Sequence, residues 1–429
     1  MIPLSWDEVV ALGLGRLERG PRNGMSGGPI TGINADSRVV GPGDLFVALN
    51  SGVDFVDDAQ RRGAATLVPD DQHEALAALA RAVRAKSMAR VVAVVGSVGK
   101  TTTKDILGAL CSAVVPTVFA RASLNNEIGV PLTVCRLEPE TEVLVVEMGM
   151  RGLGQIAALC EIARPDVVLV TSIGAEHLEL VGSVENVARA NAEAIDTLPA
   201  GGIAVVPSAD RAPELEPFLR RDDIELRRVA SDARTAAAEF RLQGGTVRLD
   251  LPFTQRHLLE NTLAALAVYE ALGLPLDRAQ EGASRIELSP WRGEEVALPG
   301  GGLVINDAYN ANPTSMRAAL EDLSERAGGR RRVAILGEMT ELGEHSDAYH
   351  RKIGAVVAQR VDVLVAVGER ARLYMTPGVP EMRAVDGPGG IDDLLRPLLR
   401  PGDAVLVKAS RAVGLEGIPE RVAKIAQTW

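Results

Sequence analysis

Short apolar runs alternate with longer amphipathic stretches through the middle of this 429-residue chain. Each run has the length of a buried strand, and a stretch that favours a helix follows it. The runs lie at residues 91–95, 142–147, 166–171 and 203–206. This alternation is typical of a mainly parallel sheet with crossover helices, and it predicts an α/β domain over about residues 89–289.

The same alternation continues to the C-terminus on a smaller scale. Strands are predicted at residues 303–306, 333–336, 363–367 and 404–407, with helices at 314–327, 348–359 and 391–399. These elements predict a second, smaller, doubly wound domain over residues 290–429. Its polar loops directly follow strands, and open parallel sheets bind ligands at that edge.

Residues 1–88 predict a separate N-terminal unit with a weaker pattern. A helix is expected near residues 5–14, followed by a glycine-rich loop at 20–28 and a hairpin-like segment at 41–49. An alanine-rich helix at 73–86 is expected to link this unit to the next one.

Composition narrows the class of protein. Apolar residues make up 46% and charged residues 24%, and the formal net charge of -11 argues against nonspecific binding to nucleic acid or to an anionic membrane. Cys111, Cys135 and Cys160 are widely spaced in apolar surroundings and are predicted to be reduced core residues. The sequence shows neither a signal peptide nor an apolar run of membrane-spanning length. We therefore expect a cytoplasmic protein without a membrane span, acting as a monomer.

The strongest chemical signal is GSVGKT, directly after the strand at residues 91–95. Glycines let the backbone approach an anion, and the amides that open the next helix point at it. Lys100 can reach the terminal phosphates of a nucleotide, and the Thr101 hydroxyl can bind Mg²⁺. The segment favours a site for an ATP-type nucleotide over an ordinary strand-to-helix turn. Val94 stands where the full Walker pattern has glycine.

Other polar residues have two interpretations each. Glu147 and His177 lie just past predicted strands, where they could hold Mg²⁺, or be a turn carboxylate and a surface histidine. The segment from Asp36 to Arg38 is either a polar loop or a contact to a phosphorylated substrate. Asn261 could face a nucleotide base or fill a packing gap.

Eight segments spread over nearly the whole chain carry a resemblance. They are DSR with PGDLFVAL (36–49), GSVGKTTTKD (96–105), SLNNEIGVPLT (123–133), VVEMGMRGLGQI (145–156), HLELVGS (177–183), NDAYNANPTSM (306–316), LGEMTELGE (336–344) and VKASR (407–411). In content and order they resemble the Mur ligase family. The resemblance implies an N-terminal domain for a uridine nucleotide (1–88), a central P-loop ATPase (89–289) and a C-terminal Rossmann-like ligase domain (290–429).

The resemblance also implies a reaction. It is closest to members that add D-alanyl-D-alanine to UDP-N-acetylmuramoyl-tripeptide in peptidoglycan synthesis. The tripeptide carboxylate would attack the γ-phosphate of ATP, and the dipeptide amine would then attack the acyl phosphate. Positioning and charge neutralisation would supply most of the catalysis.

Carried over from the family, the roles fall into four groups. The catalytic residues would be Lys100, Asn126 and His177. The metal ligands would be Thr101 and Glu147 for one Mg²⁺ and His177 for a second. The nucleotide-binding residues would be Gly96, Ser97, Gly99, Lys100, Thr101, Thr102, Asn261, Arg292, Asp307 and Asn310. The substrate-binding residues would be Asp36, Ser37, Arg38, Asn125, Lys408, Ser410 and Arg411.

The chain departs from the family at one chemically important position. Where the family has a lysine that is carbamylated and supports the second Mg²⁺, this chain has Asn191. An amide adds no charge and is not carbamylated, so a second metal would depend on another carboxylate, such as Glu193 or Glu176. The uridine-side loop is also short, with only residues 50–53. These departures keep two alternatives open: a paralogous ATP-dependent amide ligase with another acid and amine, and a nucleotide-binding partner protein that has lost ligation.

Overall fold

The computed structural model describes residues 1–19, 28–120, 122–232 and 235–429. The predicted glycine-rich loop lies outside the described residues except for Gly28. The chain divides into two compact units. The first comprises Met1–Thr171, Arg189–Pro252 and Glu260–Glu287, and the second comprises Ser172–Ala188, Phe253–Leu259 and Leu288–Trp429. The domain boundaries near residues 88 and 289 stay predictions.

The first unit begins with a small mixed sheet. Its elements are α1 (Trp6–Ala11), β1 (Gly15–Glu18), β2 (Gly32–Asn34), β3 (Asp44–Val47), α2 (Val56–Arg61), β4 (Ala65–Pro69) and α3 (Gln72–Ala85). The strand order is β1-β4-β3-β2. A capping box starts α1, because Ser5 and Glu8 each accept the other's backbone amide through their side chains.

The hairpin expected at residues 41–49 is wrong. The strand in this segment, β3, pairs in parallel with both β2 and β4. The Gly41 amide donates to Oδ2 of Asp44 at 2.9 Å, so the glycine-rich turn only leads the chain into β3. Turn residues report a local change of direction, whereas the whole sheet decides which strands pair.

The central part alternates strands and helices as the pattern predicts. Its elements are β5 (Arg90–Val95), α4 (Lys100–Ser112), β6 (Thr117–Phe119), α5 (Gly129–Val134), β7 (Val143–Glu147), α6 (Gln155–Ala163), β8 (Val167–Val170), α7 (Leu178–Val181), α8 (Val184–Asp196), β9 (Ile203–Pro207), β10 (Glu225–Val229), β11 (Glu239–Leu242), β12 (Gly245–Arg248), α9 (Arg256–Ala271) and α10 (Ala279–Ala283). The main sheet has the order β10-β9-β8-β5-β7-β6, and all of its neighbouring pairs are parallel.

Burial explains why the central strands could be predicted from the sequence. The middle strands β5, β7 and β8 are rich in valine and buried almost throughout, as expected for a parallel sheet covered on both faces. The helix α3, which was predicted to link the N-terminal unit to the next one, takes part in this packing. Its apolar face, which includes Leu76, Leu79 and Val83, is buried, and the helix packs against α5 and α6.

The second unit contains a sheet of its own. Its elements from residue 294 onward are β13 (Glu294–Leu298), β14 (Gly302–Asn306), α11 (Pro313–Ala327), β15 (Arg332–Gly337), α12 (Ser346–Arg360), β16 (Val363–Val367), β17 (Glu381–Val385), α13 (Ile391–Leu398), β18 (Ala404–Lys408) and α14 (Ile418–Ala426). The order is β13-β14-β18-β15-β16-β17, antiparallel between β13 and β14 and parallel elsewhere. The four predicted strands are the buried inner ones. The two edge strands were missed because their exposed faces interrupt the apolar runs.

The cysteine prediction is confirmed, since Cys111, Cys135 and Cys160 are buried and free. Burial raises the pKa of Cys111 and Cys135 to about 12 and that of Cys160 to about 11, which keeps all three as inert thiols. Among the described helices, none has both the length and the apolar character that crossing a membrane requires.

Candidate active site

Residues 96–99 of the GSVGKT segment, called the phosphate loop below, connect β5 to α4. Gly96 and Gly99 have φ angles of 122° and 88°, which side-chain-bearing residues rarely adopt. A Cβ atom on Gly99 would also lie 2.6 Å from Oδ1 of Asn261 on α9. Glycine at position 99 therefore meets two requirements, and α4 begins directly after it at Lys100. The first amides of a helix lack intrahelical partners, so this end favours an anion.

The Lys100 side chain folds back over its own loop. Its Nζ contacts the carbonyl oxygen of Gly96 and lies 3.4 Å from that of Ser97. Both of these partners are neutral. A phosphate oxygen is a stronger, charge-assisted acceptor and could replace them without a change in the helix. Ser97 and Thr102, which flank Lys100, are buried with 7% and 5% exposure.

A polar network links the start of α4 to the end of β7. The Ser123 hydroxyl donates to Oε1 of Glu147 at 2.8 Å, and Nδ2 of Asn125 donates to the same oxygen at 2.7 Å. The Thr101 hydroxyl lies 3.4 Å from that of Ser123. Thus Thr101, Asn125 and Glu147, which the sequence assigned to metal and substrate, are neighbours here, with Ser123 as a connection that the sequence analysis did not find.

The surroundings of Glu147 indicate whether this network fits a metal ion. The residue is 1% exposed, and its second oxygen, Oε2, is buried without a hydrogen-bond partner. Buried polar atoms are nearly always satisfied, so this oxygen calls for a partner outside the chain. Carboxylate and hydroxyl oxygens are suitable Mg²⁺ ligands. Thr101 and Glu147 therefore fit one Mg²⁺. In the described ranges no group of three or more His, Cys, Asp or Glu could hold a metal, so phosphate and water would have to complete the coordination.

A buried lysine that the sequence analysis missed supports this network. Lys104 on α4 is fully buried, and its Nζ contacts the carbonyl oxygens of Ala120 and Ala122 and lies 2.8 Å from Oδ1 of Asp105. It fixes the chain just before Ser123. The available signal was a Lys-Asp pair directly before the mostly apolar residues 106–111 of the helix.

Asn191 and Glu193, both on α8, accept backbone hydrogen bonds. Oδ1 of Asn191 accepts from the Gly96 amide at 2.6 Å. The two oxygens of Glu193 accept from the amides of Gly154 and Ala157 at 2.6 and 3.2 Å, which caps the start of α6. The role in metal binding that the sequence left open for Glu193 has no support in these contacts.

His177 belongs to the second unit, whereas Lys100, Thr101 and Glu147 belong to the first. Its Nδ1 lies 2.5 Å from Oε2 of Glu341, although the angles are not those of a hydrogen bond. Both His177 and Glu341 have left-handed backbones, with φ of 50° and 61°. The Glu179 amide donates to the Glu341 carbonyl oxygen at 3.1 Å. Non-glycine residues in this conformation concentrate at functional sites.

Three loops of the second unit meet at the carboxyl ends of β14, β18 and β15. Nζ of Lys408 donates to Oδ2 of Asp307 at 2.6 Å and to the carbonyl oxygen of Asn310 at 2.9 Å. The Ser410 hydroxyl donates to the carbonyl oxygen of Ala311 and accepts from the Thr340 amide. Adjacent parallel strands bring these residues together, as the sequence predicted for loops at one sheet edge.

Two arginines beside these loops stack on aromatic rings. The guanidinium of Arg292 lies 3.9 Å from the centre of the Tyr309 ring, and that of Arg411 lies 4.3 Å from the Trp291 ring. Both are cation–π contacts. These contacts fix the positions of Arg292, which was assigned to the nucleotide, and of Arg411, which was assigned to the substrate. The aromatic partners were not identified from the sequence.

Other predicted site residues make hydrogen bonds to residues close to them in sequence. The guanidinium of Arg38 hydrogen-bonds both carboxylate oxygens of Asp36 and lowers the pKa of that carboxyl to about 2, while Ser37 is buried. Oδ1 of Asn126 accepts from the Gly129 amide at the start of α5. The roles assigned to these residues stay predictions.

Comparison with known proteins fits this geometry. The profile described as Mur ligase middle domain matches residues 94–269, and the one described as Mur ligase, glutamate ligase domain matches residues 291–411. UDP-N-acetylmuramoyl-tripeptide–D-alanyl-D-alanine ligase of Escherichia coli is 32% identical, over 92% of this chain and 94% of that protein. The Bacillus subtilis protein of the same name is 30% identical, over 91% and 92%.

Solved structures agree over nearly the whole chain. MurF from Acinetobacter baumannii has a TM-score of 0.83 at 27% identity and covers 98% of this chain and 99% of its own. MurF ligase from Thermotoga maritima, in complex with ADP, has a TM-score of 0.77 at 29% identity, over 92% and 98%. The α/β fold with a parallel central sheet and a C-terminal sheet domain is confirmed by these neighbours. The chain belongs to the Mur ligase family.

Proposed function

We propose that this protein is an ATP-dependent, ADP-forming ligase that adds D-alanyl-D-alanine to UDP-N-acetylmuramoyl-tripeptide in peptidoglycan precursor synthesis. The observation that carries the proposal is the match to relatives of that name over at least nine-tenths of both chains. We place the reaction in the cytoplasm, where ATP is available, and expect the enzyme to act as a monomer.

The chemistry requires activation of a carboxylate. An oxygen of the terminal tripeptide carboxylate attacks the γ-phosphorus of ATP, the bond to the β-phosphate oxygen breaks, and ADP leaves. The dipeptide amine then attacks the carbonyl carbon of the acyl phosphate, loses a proton, and expels inorganic phosphate as the amide forms. Because the phosphoryl group needs little covalent help, catalysis rests on orientation and on charge stabilisation.

Residues of the phosphate loop suit the first step. Lys100 would exchange the carbonyls of Gly96 and Ser97 for the β- and γ-phosphates and neutralise charge on the transferring group. Asn126 would lie near the phosphate and the acceptor. Asn261, Arg292, Asp307 and Asn310 would contact the nucleotide.

Thr101 and Glu147 would hold one Mg²⁺, supported by the unpartnered Oε2 of Glu147. When bound, Mg²⁺ draws charge from the β- and γ-phosphates. His177 remains the proposed ligand of a second ion, but Asn191 supplies no anionic ligand to it.

Substrate contacts complete the proposal. Asp36, Ser37 and Arg38 would meet the uridine diphosphate sugar, and Asn125 the acceptor side of the γ-phosphate. Ser410 and Arg411 would approach the tripeptide and dipeptide. Lys408 would approach the same two peptides, although its ammonium group is already paired with Asp307.

Phosphate release from ATP tests the function. With Mg²⁺, we expect release only when UDP-muramoyl-tripeptide and D-alanyl-D-alanine are both present, with the amide product visible by mass spectrometry, and loss of release when Mg²⁺ is chelated. Acceptors with lysine and with diaminopimelate as third residue should both be tried. Release with other acids and amines, but none with this pair, would indicate a paralogous ligase. ATP binding without release for any pair would indicate a protein that has lost ligation.

A further inference from the structure

The hydrogen bond between Asn191 and the phosphate loop is the observation from which this inference starts. Oδ1 of Asn191 accepts from the Gly96 amide at 2.6 Å, and Asn191 is 1% exposed. The bond joins the middle of α8 to the first residue of the loop. It is short, buried and made to a backbone amide, so it restrains the loop whatever side chains surround it.

We infer that Asn191 is a positioning residue for the phosphate loop and that position 191 in this chain serves nucleotide binding directly, without a metal. The inference rests on the proposed nucleotide-binding function of the loop. Gly96 has a φ of 122°, which the chain must stabilise from outside because no regular element continues through it. The side-chain oxygen of Asn191 supplies that stabilisation by accepting a hydrogen bond from the backbone nitrogen of Gly96.

Lys100 acts on the other side of the same residue. Its Nζ contacts the Gly96 carbonyl oxygen, so both backbone polar groups of Gly96 have side-chain partners. A nucleotide would take Lys100 away from this carbonyl, whereas the bond to Asn191 is made by the Gly96 amide and does not involve Lys100. Asn191 therefore keeps Gly96 in place while Lys100 changes partner.

Asn191 itself is not a carbamate-type metal ligand, because its amide adds no charge and is not carbamylated. An unmodified lysine at position 191 would have no acceptor at the position of Oδ1 and would leave the Gly96 amide without this partner. Glu193, two residues further along α8, is already used to cap α6. In this chain α8 thus holds two backbone segments in place and offers no anionic ligand from positions 191 or 193.

Three variants test the inference. Asn191→Leu keeps the size of the side chain and removes the acceptor, and we expect roughly 10-fold weaker binding of ADP, because a buried amide loses its partner. Asn191→Asp retains an acceptor and should restore the protection of the loop peptide against hydrogen–deuterium exchange that the leucine variant loses. Asn191→Lys, assayed with bicarbonate, should bind ADP less tightly than the wild type does.

Three measurements are made on each variant. Calorimetry, with and without Mg²⁺, gives the affinity for ADP. Hydrogen–deuterium exchange gives the protection of the loop peptide, and steady-state kinetics give the KM for ATP. Glu193→Gln is the matched control. Glu193 lies on the same helix as Asn191, but it caps α6, so this change should lower thermal stability without raising the KM for ATP. If the wild type itself binds no ADP, the proposed function fails. If the wild type binds and Asn191→Leu matches it in affinity and exchange, or Asn191→Lys binds more tightly with bicarbonate, the inference is overturned.

Discussion

Lys100 in the first unit and Lys408 in the second stand at comparable places, each close to the carboxyl end of a buried parallel strand, yet their surroundings differ. Lys100 is half-buried, and its Nζ contacts the carbonyl oxygens of Gly96 and Ser97 in its own loop. Lys408 is 2% exposed and pairs with the carboxylate of Asp307 at 2.6 Å. These two Lys100 contacts are to neutral oxygens, whereas the charge of Lys408 is paired with a carboxylate within the fold.

This difference supports the proposed ligand-binding role of Lys100 and indicates a structural role for Lys408. An ammonium group held by carbonyls gains a stronger partner when a phosphate arrives. A buried ammonium that already has a carboxylate loses that pair if it turns to a substrate, which costs free energy. Both lysines lie in family motifs, so only their partners distinguish them. A contact between Lys408 and substrate stays a prediction and would have to include Asp307.

The largest expected effect is on catalysis through Lys100. Lys100→Ala removes the ammonium from the phosphates, and we expect turnover to fall on the order of 1,000-fold, as for loss of one well-placed electrostatic donor. Phosphate release under saturating substrates measures it. The midpoint of urea unfolding serves as control and should hardly move, because Lys100 is only half-buried and its contacts with Gly96 and Ser97 are local to one loop. Unchanged turnover would remove Lys100 from the mechanism.

Next in size is a stability effect at Lys408. Lys408→Met leaves the Asp307 carboxylate without its cation, and we expect the free energy of unfolding to fall by about 3 kcal/mol. Asp307→Asn in the same chain should recover much of this loss, because no unpaired charge remains. Urea unfolding of both single variants and the double variant gives the coupling energy. Simple additivity of the two single changes would show that the pair is not structural.

The smallest effect concerns a third buried charge, Asp322 on α11. Burial raises the pKa of Asp322 to about 6, and Arg326, 3.6 Å away, offsets this only in part. The folded state therefore binds the proton more tightly than the unfolded state does, and stability falls as pH rises from about 4 to about 6.

Asp322→Asn should remove that loss. We expect the variant to be more stable by roughly 1 kcal/mol at pH 8, less than the full conversion of the pKa shift, because a buried amide also needs partners. At pH 4 the advantage should vanish. Urea unfolding at the two pH values measures it, and an equal difference at both would mean that ionisation of Asp322 is not the cause.

Some features were predictable because they are local. The strands β5, β7 and β8 are continuous apolar runs, and the phosphate loop is a contiguous segment, so both could be found without knowing neighbours. The edge strands β13 and β17 were missed, because half-exposed strands carry charged residues such as Glu294 and Arg383. The parallel pairing of β3 depended on segments distant in sequence.

The sequence by itself determined the alternation of elements, the place of the phosphate loop and the family. The tertiary structure alone decided the partners of the polar groups: Glu147 has an unpartnered oxygen, Lys408 pairs with Asp307, and Asn191 accepts from the Gly96 amide. Periodicity and motifs record which residues face a core or form a turn. The strength of an electrostatic contact depends instead on distance and burial, which arise only when separate segments pack.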